Sequence, residues 1–272
     1  MSWSGGSFGD SGTCVLAPNP NIMTLDGTNT WVLRAPGSSR SVVVDPGPPD
    51  PEHLAAVRSV AGEVAVVLLT HHHLDHSEAA REFAESVGCG VRALDPAYRL
   101  GSEGLSGGDV VAVDDLELHV VATPGHTADS LSFWLPAEGA VLTGDTVLGR
   151  GTTVVAHPDG SLGAYLSSLD RLRDLCAERG VSRVWPGHGP VIDDAAAALE
   201  YYVTHRHQRL EQVREALRTL GVPTGMPVEA VEAALAGDLP RRVVEVVYTD
   251  VDPVLWGAAE LSVRAQLAYL LG

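Results

Sequence analysis

The amino-acid sequence predicts an α/β fold in which helices cover β-sheets, with a small helical appendage at the carboxyl end. Three observations support this prediction: short apolar runs alternate with helical patterns, several runs are spaced as hairpins, and the last fifty residues contain only short helical patterns. The chain has 272 residues, of which 45% are hydrophobic and 19% charged. This length and composition suit one main domain with a substantial core and a small addition.

The amino-terminal part contains the first strands and the first helix. Residues 1–20 are rich in Gly, Ser and Pro, and we expect them to form a flexible lead-in. Apolar runs at 31–33 and 42–44 predict paired strands, and a helix is expected from Pro51 to about residue 60. The continuous apolar run at 64–69 is short for a helix and predicts a strand buried on both faces.

The middle of the chain continues the same alternation. Small and apolar residues at helical spacing predict a helix over 77–87, and a second helix is expected at about 161–179. Five further apolar runs predict strands, at 110–113, 116–122, 131–135, 140–143 and 182–185.

Helical patterns fill the carboxyl-terminal part. Asp193 and Asp194 suit the N-cap of a long helix over 195–220, which Gly221 and Pro223 end. Short helices are expected near 227–236, 240–248 and 254–271. The expected organisation is a flexible lead-in at 1–20, a metal-binding main domain at 21–194, and a long helix with a small helical domain at 195–272.

Composition excludes several classes of function. All 18 basic residues are Arg, so a Walker-type phosphate loop and a lysine Schiff base are excluded. The formal net charge of −17 disfavours duplex DNA as a partner. Because the sequence shows neither a secretory signal nor an apolar run long enough for a membrane span, we expect a cytoplasmic protein that does not act in a membrane. The three widely spaced cysteines are expected to be reduced thiols.

A cluster of histidines follows the predicted strand at 64–69. If the chain is extended there, His71 and His73 project to the same side, since strand side chains alternate with a period of two. Asp75 and His76 fall where the backbone turns into a helix and point back toward the same region. Imidazole and carboxylate ligands without thiolate suit a hydrolytic zinc or a similar divalent ion. Asp75 also suits a helix N-cap with Glu78, but a cap explains none of the histidines.

Three later segments each place a metal-competent side chain in a glycine-containing turn after a predicted strand. These side chains are His126, Asp145 and His188. The glycines allow the backbone to approach a ligand closely. Each segment alone is typical of an ordinary polar turn, but together with the histidine cluster they supply what a two-metal site needs.

The H-x-H-x-D-H segment, the later His, the Asp and the final His together resemble the metallo-β-lactamase superfamily over residues from about 25 to 192. The resemblance implies an αββα sandwich with the metals at one edge and a winged-helix-like carboxyl end. It implies that one metal is held by His71, His73 and His126, that the other is held by Asp75, His76 and His188, and that Asp145 bridges them.

Asp45 ends an early strand and resembles the first motif of the family, whose carboxylate orients a ligand histidine from behind it. An Asp before Pro-Gly also suits a simple turn.

Two metals could share a water, present hydroxide as the nucleophile and polarise the bond under attack, so Asp75 and Asp145 are also candidate catalytic residues. Zinc is the expected ion, with iron or manganese as alternatives. The ligand set does not choose between a thioester or other acyl compound and single-stranded RNA.

The whole chain most resembles hydrolases near glyoxalase II, a branch that includes single-strand-specific endoribonucleases. An alternative is a mononuclear iron oxidoreductase that resembles the persulfide dioxygenases.

Four residues outside the ligand set are candidates for substrate binding. Arg206 and Arg209 share a helical face near His205, and could bind a phosphate or carboxylate. The alternative is a solvated helix face in which Glu211 and Glu215 are their ion-pair partners. His157 could reach the cleft from its loop or belong to a surface turn, and a homodimer is also compatible with the sequence.

Overall fold

The computed structural model describes residues 2–249 and 251–272. In this part of the chain, the first of two sheets contains six strands, which neighbour one another in the order of the chain. Helix α1 (Pro51–Ala61) connects β4 to β5, and α2 (Leu74–Ser77) with α3 (Ala80–Val87) connects β5 to β6. These helical crossovers make β4, β5 and β6 parallel, whereas β1 to β4 pair antiparallel. The strands are β1 (Gly6–Phe8), β2 (Gly12–Leu16), β3 (Asn29–Leu33), β4 (Arg40–Val44), β5 (Glu63–Leu68) and β6 (Gly90–Arg92).

The second sheet has the strand order β11-β10-β9-β8-β7. Neighbours from β7 to β10 are antiparallel, and α4 (Leu162–Arg179) makes the crossover that leaves β10 and β11 parallel. The strands are β7 (Val110–Val113), β8 (Leu116–Ala122), β9 (Leu131–Leu135), β10 (Ala140–Gly144) and β11 (Arg183–Pro186).

The main hydrophobic core lies between the two sheets. Side chains that alternate along the strands fill it, among them Leu33, Val44 and Leu118, and Trp31 stacks on Trp185 with ring centroids 4.8 Å apart. A second cluster buries α1 and α3 against the first sheet, and a third buries α4 against the second sheet. The four-layer αββα prediction is therefore confirmed.

A long helix, α5 (Ala195–Thr219), joins the second sheet to the carboxyl-terminal helices. Asp194 caps it, accepting a hydrogen bond from the backbone N–H of Ala197 at 2.9 Å. The first half of α5 packs with α4, and its second half packs with the helices that follow it. Those helices are α6 (Val228–Ala236), α7 (Leu239–Val247) and α8 (Trp256–Leu271), as the predicted helical appendage requires.

The expectation of a flexible lead-in at 1–20 is wrong for much of that segment. β2 pairs with β3 along its whole length, and Cys14 is buried in the core between the sheets. The Trp3 indole donates a hydrogen bond to Asn29 at 2.7 Å. Backbone pairing with a neighbouring strand can therefore order a segment rich in Gly and Ser, because this pairing requires few large side chains.

The predicted helix at 77–87 corresponds to α3, which begins at Ala80 and ends at Val87, and the short helix α2 precedes it. Among the described residues, no helix combines the length and the apolarity needed to cross a bilayer.

Candidate metal centre

The metal-competent side chains follow the carboxyl ends of four strands. The segment from His71 to His76 follows β5, while His126, Asp145 and His188 follow β8, β10 and β11. Because these strand ends meet at one edge of the sandwich, side chains as far apart in sequence as His76 and His188 come within 3.2 Å of each other.

Three histidines form the first half of the cluster. The Nδ1 atom of His73 lies 3.1 Å from Nε2 of His71 and 3.0 Å from Nε2 of His126. His71 and His126 are buried, and His73 is partly exposed. Three ring nitrogens thus converge on a single point, as the sequence predicted for these three residues.

Two histidines and an aspartate form the second half. The Nε2 atom of His188 lies 3.2 Å from Nε2 of His76 and 3.2 Å from Oδ2 of Asp75. The distance from Nε2 of His76 to the same carboxylate oxygen is 3.4 Å. Thr28 donates a hydrogen bond to Asp75 Oδ2 at 3.1 Å, which fixes the carboxylate from outside the cluster.

Asp145 lies between the two halves. Its Oδ2 atom is 3.7 Å from Nε2 of His126 and 3.3 Å from Nε2 of His188, so one carboxylate faces both groups. Its Oδ1 atom is buried and makes no hydrogen bond to the described residues. A buried carboxylate oxygen without a donor is costly, and a cation would satisfy it.

The donor set fits two divalent cations. A tetrahedral metal with bonds of about 2.0–2.1 Å to nitrogen places neighbouring ligand atoms about 3.3 Å apart, close to the separations within each half of the cluster. Each half offers three ligand atoms, and Asp145 is shared. Nitrogen and carboxylate ligands without sulfur suit zinc and similar ions. The structure therefore brings together the seven side chains that the sequence singled out.

In two of the neutral histidines, a hydrogen bond at Nδ1 keeps the Nε2 atom that faces the cluster unprotonated. Nδ1 of His126 donates to the carbonyl of Val154 at 2.7 Å, and Nδ1 of His188 donates to the carbonyl of Gly27 at 3.0 Å. Since a carbonyl can only accept, each ring must carry its proton on Nδ1 and present a lone pair on Nε2. These contacts orient the ligands toward a metal.

Asp45 and Thr70 orient two further histidines, His71 and His76. Asp45 Oδ2 accepts hydrogen bonds from Nδ1 of His76 at 2.9 Å and from the Thr70 hydroxyl at 2.6 Å. Because that hydroxyl donates to Asp45, it accepts from Nδ1 of His71 at 2.9 Å. Asp45 thus lies behind a ligand histidine, as the resemblance implied, and that histidine is His76. The Asp45 backbone has a φ of 52°, a conformation that costs energy for a residue other than glycine and is typical of functional sites.

The two halves differ in their proton affinity. Burial lowers the pKa of His73 to about 4 and also lowers the pKa values of His71 and His126. Burial has the same effect on His188, but the Asp145 and Asp75 carboxylates outweigh it and raise its pKa to about 9. Without metal, the first half is therefore neutral at pH 7, whereas the second half holds protons that a cation has to displace.

We expect Asp45→Ala to weaken metal binding about 10- to 100-fold, because it leaves His76 free to rotate and removes the acceptor of three buried donors, which are His76 Nδ1 and the hydroxyl and backbone N–H of Thr70. Competition with a chromogenic chelator measures this affinity. Asp114→Ala is the matched control, since Asp114 also has a positive φ, of 53°, but pairs with Arg40 on the surface. Equal affinities in the two variants would show that Asp45 does not support the cluster.

A cavity of about 400 Å³ opens onto the cluster. Its metal-competent lining consists of His73, Asp75, His126, Asp145 and His188. Most of the remaining wall is apolar, and its basic side chains are Arg150, His205, Arg206 and Arg209. Its apolar side chains are Ile22, Met23, Leu25, Leu148, Val154, Tyr248, Val251, Leu255, Ala258 and Ala259.

Three of the four candidate substrate residues line this cavity, and one does not. His205, Arg206 and Arg209 lie in its wall, whereas His157 lies outside it in the turn before Pro158. The alternative of a solvated helix face is wrong for Arg206, which is 4% exposed. Glu211 and Glu215 pair with other arginines, as the Arg214–Glu211 and Arg218–Glu215 contacts show.

Several groups that hydrogen-bond to the outer ring nitrogens of the ligand histidines were not predicted from the sequence. Thr70 directly precedes His71, a position that could have indicated its role. The carbonyls of Gly27 and Val154 give no such signal, because every residue has one. His72 turns away from the cluster and contacts Asp129 at 2.8 Å, a partner that the sequence did not indicate.

Comparisons with known proteins agree with this geometry. A family model described as "Metallo-beta-lactamase superfamily" matches residues 23–188. The chain is 34% identical over 237 residues to the beta-lactamase-like protein 2 homolog of Caenorhabditis elegans, and this match covers 80% of the chain and 75% of that protein. It is 33% identical over 251 residues to the atrochrysone carboxyl ACP thioesterase of Aspergillus fumigatus, with coverage of 85% and 75%.

A solved structure shares the fold. The beta-lactamase domain protein from Burkholderia ambifaria has a TM-score of 0.72 with this chain at 19% identity, covering 98% of this chain and 88% of that one.

Proposed function

Because the chain belongs to the metallo-beta-lactamase superfamily, we propose that it is a dinuclear zinc hydrolase that cleaves acyl thioesters. The relatives and the cluster of imidazoles and carboxylates support a hydrolase with a site for divalent metal. The two zinc ions and the thioester substrate are our proposal.

The volume and the apolar lining of the cavity favour an acyl thioester as the substrate. A volume of about 400 Å³ lies in the range of sites for small molecules, and the wall of the cavity includes apolar side chains such as Leu148, Val251 and Leu255. Such a wall suits the hydrocarbon of an acyl group, with the reacting carbonyl at the cluster.

The features of the cavity agree less well with single-stranded RNA. Binding of RNA usually relies on an open basic groove with aromatic side chains for the bases. Here Tyr248 is the one Phe, Tyr or Trp among the described lining residues, and the protein carries a net charge of −17. The relative from Aspergillus fumigatus named as an ACP thioesterase also supports an acyl thioester.

The residues of the chain have distinct roles in this proposal. His71, His73 and His126 would hold one ion, Asp75, His76 and His188 the other, and Asp145 both. When bound, the two ions supply Lewis acidity that polarises a carbonyl and lowers the pKa of water. Of the two carboxylates, Asp75 has the more exposed side chain, 28% against 11% for Asp145. The Asp75 carboxylate is therefore the more accessible of the two to a molecule in the cavity.

Steady-state assays on the zinc-loaded protein test this function. An acyl thioester of N-acetylcysteamine and a labelled single-stranded RNA serve as the two substrates. We expect thioester hydrolysis, reduced at least 100-fold in kcat/KM by His73→Ala, which removes a ligand of one ion. Cleavage of the RNA without hydrolysis of the thioester, also lost in His73→Ala, would overturn the proposed substrate and retain the hydrolase.

A further inference from the structure

Three basic side chains of α5 line the cavity together with the metal-competent residues. They are His205, Arg206 and Arg209, and we refer to them as the basic wall. The acidic side chains among the lining residues are Asp75 and Asp145, both of which belong to the cluster. The basic wall therefore has no acidic counterpart of its own in the described lining.

Arg206 is the most constrained member of the basic wall. Its side chain is 4% exposed, its Nη2 atom donates to the Thr153 carbonyl at 2.5 Å, and its guanidinium lies 4.9 Å from the centre of the Tyr165 ring. Its Nε atom is buried without a hydrogen-bond partner. Among the described residues, no carboxylate lies within 4.0 Å of this guanidinium. A buried cation without an anion is costly, so the position favours an anion from outside the chain.

Arg209 and His205 extend the same surface. The guanidinium of Arg209 lies 4.3 Å from the centre of the Tyr248 ring and donates to the Val247 carbonyl at 3.1 Å. The Nδ1 atom of His205 is buried and has no partner among the described residues. The aromatic rings hold both guanidinium groups in place, so less side-chain entropy is lost when an anion binds.

We propose that the basic wall binds a carboxylate carried by the acyl group of the substrate. The proposal rests on the proposed function, which places the reacting carbonyl at the metal cluster. Carboxylate and phosphate are the anions whose oxygen atoms best match the planar fork of a guanidinium. The acyl chain would lie against the apolar side chains that line the same cavity. The preferred substrate is therefore a thioester of a dicarboxylic acid.

The test uses thioesters whose charge lies in the acyl group alone. N-acetylcysteamine is an uncharged carrier, and glutaryl, adipyl and suberyl thioesters provide three chain lengths, each compared with its methyl ester. We expect kcat/KM to be at least tenfold higher for the free carboxylate than for the methyl ester at one or more lengths, since a charge-assisted hydrogen bond is made only by the acid. A ratio near one throughout the series would overturn the proposal.

Variants assign the preference to the basic wall. Arg209→Gln and Arg206→Gln are each expected to reduce the acid-to-ester ratio toward one. Arg214→Gln is the matched control, because Arg214 lies on the same helix and pairs with Glu211 at the surface. Arg206 also contacts the Thr153 carbonyl, so Arg209→Gln decides the result if Arg206→Gln does not fold. A ratio retained in Arg209→Gln, and in Arg206→Gln where that variant folds, would overturn the assignment.

A binding measurement separates this proposal from the proposed function. Calorimetry with the zinc-loaded protein compares each diacid with its monomethyl ester, and does not require turnover. If the diacid binds at least tenfold more tightly and Arg209→Gln abolishes this difference, the result supports the basic wall. This holds even if no thioester is hydrolysed, an outcome in which the proposed function fails and the basic wall does not. Hydrolysis of both thioesters with equal binding of diacid and ester would overturn the basic wall and leave the proposed function standing.

Discussion

Asp145→Ala is expected to lower kcat/KM about a thousandfold or more and to leave fewer than two metal ions per chain. The Asp145 carboxylate faces both halves of the cluster, at 3.7 Å from His126 and 3.3 Å from His188. Each metal contributes several kcal/mol of transition-state stabilisation, and about 4 kcal/mol corresponds to three orders of magnitude in rate. Thioester kinetics and elemental analysis of the same preparation measure both effects.

Asp129→Ala is the control for this variant. Asp129 lies beside the cluster but points to His72 and Thr127, at 2.8 Å from each. Loss of these hydrogen bonds should change kcat/KM by less than about tenfold. If Asp145→Ala retained two metals and the activity of the control, a bridging role for Asp145 would be untenable.

Gly187→Ala should lower kcat/KM about 100-fold although it adds only a methyl group. A Cβ atom at this position would lie 2.5 Å from Asp145 Oδ1 and 2.8 Å from Cε1 of His76. The backbone cannot move away easily, because Gly187 donates to the Gly144 carbonyl at 2.8 Å and accepts from the Asn29 N–H at 2.8 Å. The methyl group therefore displaces metal ligands, and displacements of about 1 Å at an active site can cost 100-fold in rate.

Gly257→Ala provides the matched control for the effect of a methyl group. Gly257 is exposed in α8, and a Cβ atom there would have no neighbour within 4 Å. This variant should keep full activity and gain at most about 1 kcal/mol in its free energy of unfolding, because alanine favours a helix. Thioester kinetics and chemical denaturation of both variants distinguish the two outcomes. Equal activity of the two variants would show that Gly187 does not limit the space around Asp145.

The positions of the metal-competent residues could be predicted because the sequence carries them as motifs. Each candidate ligand follows an apolar strand and lies in a short turn, as in the segments around His126 and His188. Strand ends converge in an α/β fold, so the strand pattern and the residue types together indicated one site. The sequence does not specify the distances between the side chains, which depend on how the two sheets pack.

The environment of Arg206 was not predicted, although a signal was present. Arg206 continues the buried spacing of α5 set by Leu199, Tyr202, Leu210 and Val213, which recurs every three or four residues. That pattern indicates a buried face and not a solvated one. Arg206 is covered by the Thr153 carbonyl, 53 residues away in the sequence, and by the Tyr165 ring of α4, so the local sequence could not identify its partners.

Metal content combined with diffraction tests the central claim most directly. Crystals of the zinc-loaded protein, measured on both sides of the zinc absorption edge, should show two anomalous peaks about 3.5–4 Å apart. One peak should lie among His71, His73 and His126 and the other among Asp75, His76 and His188, with Asp145 between them. A single peak, or peaks away from these seven side chains, would contradict the account of a two-metal hydrolase.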